Sequence, residues 1–332
     1  MAEVSKDSVT QATITEYEDG QRLDNFLLKL CKGVPKSHVY RIIRSGEVRV
    51  NGKRGQAAYR LCTDDVVRIP PVRIAVREAE IVAGAELKSE LPIVYEDDAM
   101  LVVDKPAGIA VHGGSGVSFG VIEALRRQRP HARFLELAHR LDRETSGLLL
   151  VGKKRSALVA LHDMFRGTVS RGASRGKEVD KRYLLLVSGR WPDPVRHVKL
   201  PLYKYLNESG ERRVRVSEEG KESHTVFRLQ ARWERFSLLE AELISGRTHQ
   251  IRVHCAHLGF PIVGDEKYGD FALNKAIAKE GLKRMFLHAR RMVLPHPLSG
   301  DPLALEAKLP DALHSFLLRI DSREKRDYGE KV

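Results

Sequence analysis

The chain is organised around one stretch, Ala138-His139-Arg140-Leu141-Asp142-Arg143-Glu144-Thr145-Ser146-Gly147, which is followed at once by Leu148-Leu149-Leu150-Val151. A dense charged turn therefore runs into an apolar run that is typical of a buried strand. Reactive groups are commonly carried where a rigid strand exposes the side chains of an adjoining loop. Asp142 stands between two arginines, which would favour its ionised form if they lie close to it. A carboxylate in such a cluster is more often a surface ion pair, so this turn alone does not establish catalysis.

Length and composition predict a globular protein of about two domains that binds a polyanion. The 332 residues are 42% hydrophobic and 30% charged, and the formal net charge is +13, which favours nucleic acid as the partner. No apolar run approaches the roughly 18 residues that span a bilayer, and the polar start lacks a signal-peptide core. The three cysteines are widely spaced and indicate no disulfide framework. We therefore expect a cytoplasmic protein with no membrane partner.

Residues 20–70 have the pattern of a small helix-helix-hairpin module. Apolar residues repeat at helical spacing in the first segment, at Leu23, Phe26, Leu27 and Leu30. A second helix is predicted after Pro35, with Ser37 as its cap. The dipeptide Asn51-Gly52 is a strong signal for a two-residue hairpin turn.

This module also carries much of the basic charge. Between residues 21 and 60 there are ten basic and two acidic residues, so the net charge of the segment is +8. A solvated basic face is the simpler explanation, but basic side chains on short helices and a hairpin also suit phosphate binding. The predicted RNA-binding residues are Arg22, Lys36, Arg41, Arg44, Lys53 and Arg54.

The same residues resemble a known RNA-binding module. The matching segments are Arg22-Leu23-Asp24, Ser37 to Ile43, Gly46 and Val48-Arg49-Val50-Asn51-Gly52-Lys53. They are similar to the small RNA-binding domain of ribosomal protein S4 and its relatives. The resemblance implies that the module binds RNA.

The remainder of the chain predicts an α+β fold. Apolar or alternating runs recur with turns between them, and few helices are interleaved. This order favours a mixed, largely antiparallel β-sheet with flanking helices over a doubly wound parallel sheet. The segment from residue 166 to 182 is rich in Gly, Ser and Arg, and predicts a basic loop that is either solvated or a clamp over a phosphate backbone.

Two further segments could hold a ligand. The glycine-rich stretch His112-Gly113-Gly114-Ser115-Gly116 lacks the spacing of a nucleotide-binding loop, so no nucleotide cofactor is predicted. His249, His254 and His257 do not form a zinc motif, and in an extended segment His249 and His254 would face opposite sides. We therefore expect no metal. Arg247, in the turn Ser245-Gly246-Arg247-Thr248, is a natural ion partner for a distant carboxylate.

The nine residues from His139 to Gly147 resemble the signature of the RluA-type pseudouridine synthases. Three other segments are similar to motifs of that family in the family's order: Lys105-Pro106-Ala107-Gly108 with His112, Lys181-Arg182-Tyr183, and Gly246 to Arg252. The resemblance covers roughly residues 90–310. The strings around His112 and Arg213 are similar to the RluC branch, which acts on uridines of large-subunit (23S) ribosomal RNA.

The resemblance implies roles for individual residues. Asp142 would be the nucleophile that attacks the uridine at the ribose or at the uracil ring, Tyr183 would stack on the base, and Arg247 would pair with Asp142. Arg140 and His139 would assist extrusion of the base. The resemblance also implies that no cofactor is needed and that the partner is 23S ribosomal RNA before or during subunit assembly. We also expect a monomer, because nothing in the sequence suggests an obligate partner helix.

Together these patterns predict the domain organisation. We expect a mobile tail over 1–15, an S4-like domain over 16–75, a linker over 76–90, a catalytic domain over 91–320 and a C-terminal tail over 321–332. Two alternatives stay open at this stage: action on uridines of another RNA, and a ribosome-assembly factor that binds RNA without chemistry. A methyltransferase would want a glycine-rich cofactor turn, which the sequence lacks.

Overall fold

A computed structural model of the chain describes residues 8–31, 34–72, 90–113, 119–167, 179–208 and 210–329. The described residues divide into two compact units, of which the smaller contains 8–72 and the larger contains 90–130 and 135–329. Several predicted features lie outside the described residues. They are the linker up to residue 89, the glycine-rich stretch from Gly114 onward, and the basic loop from 168 to 178.

The smaller unit is the predicted helix-helix-hairpin module. Its helices are α1 (Leu23–Leu30) and α2 (Lys36–Arg44), and its strands are β1 (Thr10–Thr13), β2 (Arg49–Val50), β3 (Lys53–Arg54) and β4 (Val66–Ile69). The strands form an antiparallel sheet in the order β1-β4-β2-β3. Asn51 and Gly52 both have positive φ, of 50° and 78°, as the tight hairpin turn requires.

Residues 10–13 are not part of a tail. They pair with Val66–Ile69 along the edge of the small sheet. Ala12 and Ile14 are buried in the core of the same unit. The prediction of a mobile tail over 1–15 is therefore wrong for these residues, because alternate side chains of the strand complete an apolar core.

The larger unit is built on an extended sheet. Its strands are β5 (Ile93–Glu96), β6 (Met100–Lys105), β7 (Glu136–Leu137), β8 (Ser146–Gly152), β9 (Asp180–Ser188), β10 (Val195–Lys199), β11 (Leu202–Leu206), β12 (Arg212–Val216), β13 (His224–Arg232), β14 (Phe236–Leu243), β15 (Leu287–Pro295) and β16 (Pro302–Glu306). Its helices are α3 (Val121–Gln128), α4 (Arg155–Arg166), α5 (Gln250–His257), α6 (Phe271–Lys279) and α7 (Asp311–Arg323).

The sheet of the larger unit has the order β10-β13-β14-β9-β15-β8-β6-β5, with β16 beside β15 and β7 beside β8. Strands β8 and β15 are parallel, and the other pairs of this sheet are antiparallel. This arrangement confirms the predicted α+β class with a mixed, largely antiparallel sheet. Among the described residues, no helix is long and apolar enough to cross a membrane.

The C-terminal residues also belong to the folded unit. Helix α7 continues to Arg323 and buries Leu313, Phe316 and Leu317. Beyond it, Asp327 accepts from Arg232 at 3.0 Å, and the backbone of Tyr328 forms a bridge with the same residue. The predicted tail from 321 is therefore wrong up to Tyr328, because these residues hold the end of β13.

The junction of β8 and β15 fixes the loop that precedes β8. Gly147 has a φ of +109°, and a Cβ atom at this position would lie 2.2 Å from the carbonyl oxygen of Ala289. A residue with a side chain would therefore push the two strands apart. Asp142 lies just before this junction, so the close approach of the strands limits where its loop can lie.

Candidate active site

Asp142 lies in the loop that enters β8. Its backbone carbonyl accepts from the backbone N–H of Thr145 at 3.1 Å, which closes the turn. The side chain is 25% exposed, so its carboxylate is still reachable from solvent. Nη1 of Arg252 donates to Oδ2 of Asp142 at 3.1 Å. The contact is therefore a charge-assisted hydrogen bond between a guanidinium and a partly exposed carboxylate.

Arg252 is itself held by a second carboxylate, Asp265. Nε and Nη2 of Arg252 donate to the two oxygens of Asp265 at 2.8 and 2.7 Å. Burial opposes charge on Asp265, but this pair and two backbone N–H donors lower its pKa. The remaining nitrogen of the guanidinium is therefore directed at Asp142 by a rigid bidentate pair.

The predicted pairing of Arg247 with Asp142 is wrong. Arg247 is exposed, and its Nε donates to the backbone carbonyl of Glu222 at 3.1 Å. The arginine that contacts Asp142 lies five positions later, in the first turns of α5. Arg143 also points elsewhere, because its Nε donates to the carbonyl of Gly108 at 3.0 Å.

The error has a structural cause. The segment after Thr248 is helical from Gln250, so the condition of an extended segment, under which His249 and His254 would face opposite sides, is not met. Helix α5 is buried on almost all sides, over Gln250–Cys255, so it shows no apolar stripe at helical spacing. His249, at the N-cap of the helix, and Arg252, three positions later in its first turn, both lie beside Asp142. The spacing of three positions between this histidine and this arginine is the sequence signal that could have identified Arg252.

His249 also faces the carboxylate of Asp142. Its Nε2 lies 3.8 Å from Oδ1, and its Nδ1 lies 2.7 Å from the hydroxyl of Tyr268. The same hydroxyl accepts from the backbone N–H of Val214 at 2.9 Å, so its own proton is directed to Nδ1. Burial lowers the pKa of His249 to about 4. The ring is therefore neutral near pH 7 and carries its proton on Nε2, towards Asp142.

Tyr268 supports both groups that contact the carboxylate. Besides its hydrogen bond with His249, its ring lies 5.2 Å from the guanidinium carbon of Arg252, which is a favourable cation–π distance. Burial raises the pKa of Tyr268 to about 12, so its hydroxyl keeps its proton. Tyr268 has no signal in the sequence, because a single tyrosine after a turn is part of no pattern.

Tyr183 lies on β9, opposite Ala289 of β15 and Ala241 of β14. Its side chain is buried, and the small neighbours on both sides leave room for the ring. Burial first, and then the charge of Asp142, raise its pKa above the ordinary value of 10. The phenol is therefore neutral, and the charge of Asp142 acts on it.

The structure separates the two residues predicted to assist base extrusion. Arg140 is exposed in the loop two positions before Asp142. His139 instead accepts from the backbone N–H of Leu150 at 3.0 Å and packs edge-on against Phe165. Burial lowers the pKa of His139 to about 4. A neutral ring with these partners ties the loop to β8, so a direct role in extrusion is not supported.

Lys105 is a buried cation beneath the same loop. Its Nζ donates to the carbonyls of Pro106, Ile109 and Arg143 at 2.9, 2.9 and 3.0 Å. Burial lowers its pKa to about 7, while the three carbonyls use all three protons of the ammonium form. Lys105 therefore joins the loop after β6 to the loop that carries Asp142.

The six predicted RNA-binding residues of the smaller unit are all exposed. Arg22 also pairs with Asp24 at 2.7 Å, and Arg41 with Glu47 at 3.5 Å. Arg54 lies beside Gly46, at the end of α2. Exposure of all six is what phosphate binding requires. Across the described parts of both units, no group of three His, Cys, Asp or Glu side chains could hold a metal ion.

Comparisons with known proteins match both units. Residues 99–257 match the family described as RNA pseudouridylate synthase, and residues 21–67 match the S4 domain. The ribosomal large subunit pseudouridine synthase C of Yersinia pestis is 50% identical over 312 residues, or 93% of this chain and 94% of that protein. Its counterpart in Escherichia coli (strain K12) is 50% identical over 318 residues, or 94% and 97%.

Solved structures resemble the fold as well. Human RNA pseudouridylate synthase domain containing 1 has a TM-score of 0.56 and 25% identity, and the match covers 73% of this chain and 91% of that one. Human RNA pseudouridylate synthase domain containing 4 has a TM-score of 0.55 at 23% identity, covering 72% and 94%. At 23% identity the second likeness concerns the fold alone.

Proposed function

Because this chain belongs to the RNA pseudouridylate synthase family, we propose that it converts specific uridines of large-subunit (23S) ribosomal RNA into pseudouridine, with Asp142 as the nucleophile. The observation that carries the proposal is the contact of Asp142 with Arg252, which Asp265 holds by a bidentate pair. The names of the 50% identical relatives support ribosomal RNA as the substrate.

The reaction is an isomerisation, so no atom is gained or lost overall. The carboxylate of Asp142 attacks either the ribose at C1′ or the uracil ring at C6, and the bond between C1′ and N1 breaks. The uracil then turns, a bond forms between C1′ and C5, and the bond between Asp142 and the substrate breaks, which restores the carboxylate. The C5 proton departs and N1 gains a proton. This course requires an ionised carboxylate, which Arg252 stabilises, and a pocket that protects the detached base from water.

We assign the remaining roles in the reaction to residues near Asp142. We assign stacking on the extruded base to the ring of Tyr183, whose raised pKa does not suit a proton acceptor in the resting enzyme. We assign extrusion to Arg140, because an exposed cation two positions from the nucleophile can enter the space that the base leaves. His249 presents an N–H to the carboxylate and helps to hold its orientation.

We assign affinity and placement on RNA to the smaller unit. Its six exposed basic residues can contact phosphates, which adds affinity without reading the sequence. Chemistry belongs to the larger unit, where Asp142 lies.

Release of tritium from uridine labelled at C5 tests the proposal. Ribosomal RNA transcribed with this label should lose tritium to water when it is incubated with the wild-type protein. Asp142→Asn should bind the RNA with unchanged affinity and reduce turnover by at least about 10⁴-fold. Asp193→Asn, which removes an exposed carboxylate of the same unit, is the matched control and should be fully active. Full activity of Asp142→Asn would exclude the aspartate mechanism.

The identity of the RNA is tested separately. Pseudouridines can be mapped in all RNA of cells with and without the protein. Loss of modified positions in large-subunit ribosomal RNA supports the proposed substrate. Loss confined to another RNA would keep the isomerase activity and contradict the substrate.

A further inference from the structure

Strands β11 and β12 form a hairpin that is separate from the main sheet. Their pairing places Leu202 opposite Val216 and Lys204 opposite Val214 on one face. On that face Leu202 and Val214 form a small apolar cluster with Val253 of α5. The hairpin is therefore anchored on the helix that carries Arg252.

The opposite face of the hairpin carries an arginine between two tyrosines. Tyr203 lies across from Arg215, and Tyr205 follows on the same side of the strand. The guanidinium carbon of Arg215 is 5.8 Å from the ring centre of Tyr203 and 5.4 Å from that of Tyr205. Arg215 is exposed, and among the described residues no carboxylate lies within ion-pair distance of it. We call these three residues the outer face of the hairpin.

The hairpin is connected to the nucleophile by a short series of contacts. The backbone N–H of Val214 donates to the hydroxyl of Tyr268, which bonds to His249. His249 in turn lies 3.8 Å from Asp142. Nη1 of Arg213 also donates to the carbonyl of Lys267, beside Tyr268. The outer face is therefore borne by an element attached to the active site.

We propose that the outer face of the hairpin is a second RNA-binding surface, which holds nucleotides flanking the target uridine. The proposal rests on the proposed function, because it assigns RNA as the occupant. Two aromatic rings with a cation between them suit single-stranded nucleic acid, since bases stack on the rings while the guanidinium meets a phosphate. Arg215 has no competing carboxylate, so a phosphate is the complementary partner.

Binding of the full-length protein to transcribed large-subunit ribosomal RNA tests the surface. Arg215→Ala should raise Kd about three- to tenfold and reduce the slope of log Kd against log salt by about 0.7. Tyr205→Ala should raise Kd by between about fivefold and a hundredfold. Tyr203→Phe and Tyr205→Phe keep the rings and should bind like the wild type.

Arg235→Ala is the matched control. Arg235 also lies over an aromatic ring, Phe236 at 5.2 Å, but at the end of β14 away from the turn that leads to His249. It should change neither Kd nor the salt slope. Equal unfolding temperatures for all variants would exclude a folding defect.

The two proposals fail in different ways. Unchanged Kd and salt slope in both Arg215→Ala and Tyr205→Ala would overturn the surface, even when the wild type isomerises uridine. Absence of tritium release by the wild type would overturn the proposed function. In that case a higher Kd for Arg215→Ala and Tyr205→Ala, with an unchanged Kd for Arg235→Ala, would still support the RNA-binding surface.

Discussion

Arg252 donates to Asp142 at 3.1 Å although the two residues are 110 positions apart in the chain. The contact joins the loop before β8 to the first turn of α5. Arg252 is held in position for this contact, because the other two nitrogens of its guanidinium donate to Asp265. Asp142 therefore depends on a cation that is itself positioned by a buried carboxylate.

The first prediction concerns this cation. Arg252→Ala should reduce kcat by at least about a thousandfold, because Asp142 loses its charged partner, and should lower the free energy of unfolding by about 3–5 kcal/mol, because Asp265 is left buried and unpaired. Arg247→Ala, in which an exposed side chain is lost, should change stability by less than about 1 kcal/mol. Turnover assays and urea unfolding provide the two measurements. A larger loss of activity in Arg247→Ala than in Arg252→Ala would contradict the pairing.

The second prediction concerns the hydroxyl of Tyr268. Tyr268→Phe keeps the ring beside Arg252 but removes the proton that reaches His249 and the acceptor of Val214. We expect kcat to fall about tenfold with unchanged RNA affinity, and the free energy of unfolding to fall by about 1–3 kcal/mol. Single-turnover kinetics and chemical denaturation measure these effects.

Tyr95→Phe is the control for Tyr268→Phe. The hydroxyl of Tyr95, on the edge strand β5, donates to the carboxylate of Asp97 at 2.7 Å. Tyr95→Phe therefore also removes one phenol hydrogen bond, but one that is distant from Asp142. It should leave kcat unchanged. Equal kcat in both variants would exclude a positioning role for Tyr268.

The third prediction concerns the junction of β8 and β15. Gly147→Ala combines a strained backbone with a contact of 2.2 Å to Ala289, so it should lower the free energy of unfolding by about 2–5 kcal/mol. Gly108→Ala is the matched control, since Gly108 has a φ of +84° but open space around it. It should cost only about 1 kcal/mol. Thermal unfolding distinguishes the two variants. Similar losses of stability would show that the close approach of Gly147 to Ala289 is not the cause of the loss in Gly147→Ala.

The fourth prediction concerns acid stability. Burial lowers the pKa of four histidines to about 4, namely His139, His249, His254 and His288. In the unfolded chain these rings titrate near their ordinary pKa of about 6.5. Between these values the unfolded state binds more protons than the folded state, so stability is complete above about pH 6.5 and falls as the pH decreases towards 4.

Proton uptake measured during unfolding at pH 5 checks this expectation. Up to about four protons should be taken up by these histidines. His254→Gln should reduce the uptake by about one proton. Equal uptake in the wild type and His254→Gln would contradict the lowered pKa.

The fifth prediction concerns the smaller unit. The triple variant Lys36→Ala, Arg41→Ala, Arg44→Ala removes exposed charges from α2 and should reduce the salt slope of RNA binding by about 2–3. Turnover at saturating RNA should persist, because Asp142 is untouched. A matched triple variant of α6 and its following turn, at Lys275, Lys279 and Lys283, should affect the slope less. An unchanged slope in the α2 variant would contradict its role in binding phosphate.

Local patterns were sufficient for much of the fold. The apolar spacing of Leu23 to Leu30 predicted α1, and Asn51-Gly52 predicted the hairpin, because both signals act between neighbouring residues. The pairing of the two ends of the chain with distant strands has no such local signal. Thr10–Thr13 and Tyr328 are ordered by partners far away in the chain, so both ends were predicted to be tails.

The sequence by itself determined the class of fold and the basic module, because each depends on residues that are adjacent or regularly spaced. It also identified Asp142 as the candidate nucleophile, through the resemblance of the nine residues from His139 to Gly147 to a family signature. Only the tertiary structure decided which cation contacts that carboxylate. Arg247 and Arg252 stand five positions apart and have the same chemistry. The burial of α5 on almost all sides and its pairing with Asp265 direct Arg252 inward, while Arg247 lies on the exposed turn. A choice between two arginines in one segment depends on packing, which has no local signal in the sequence.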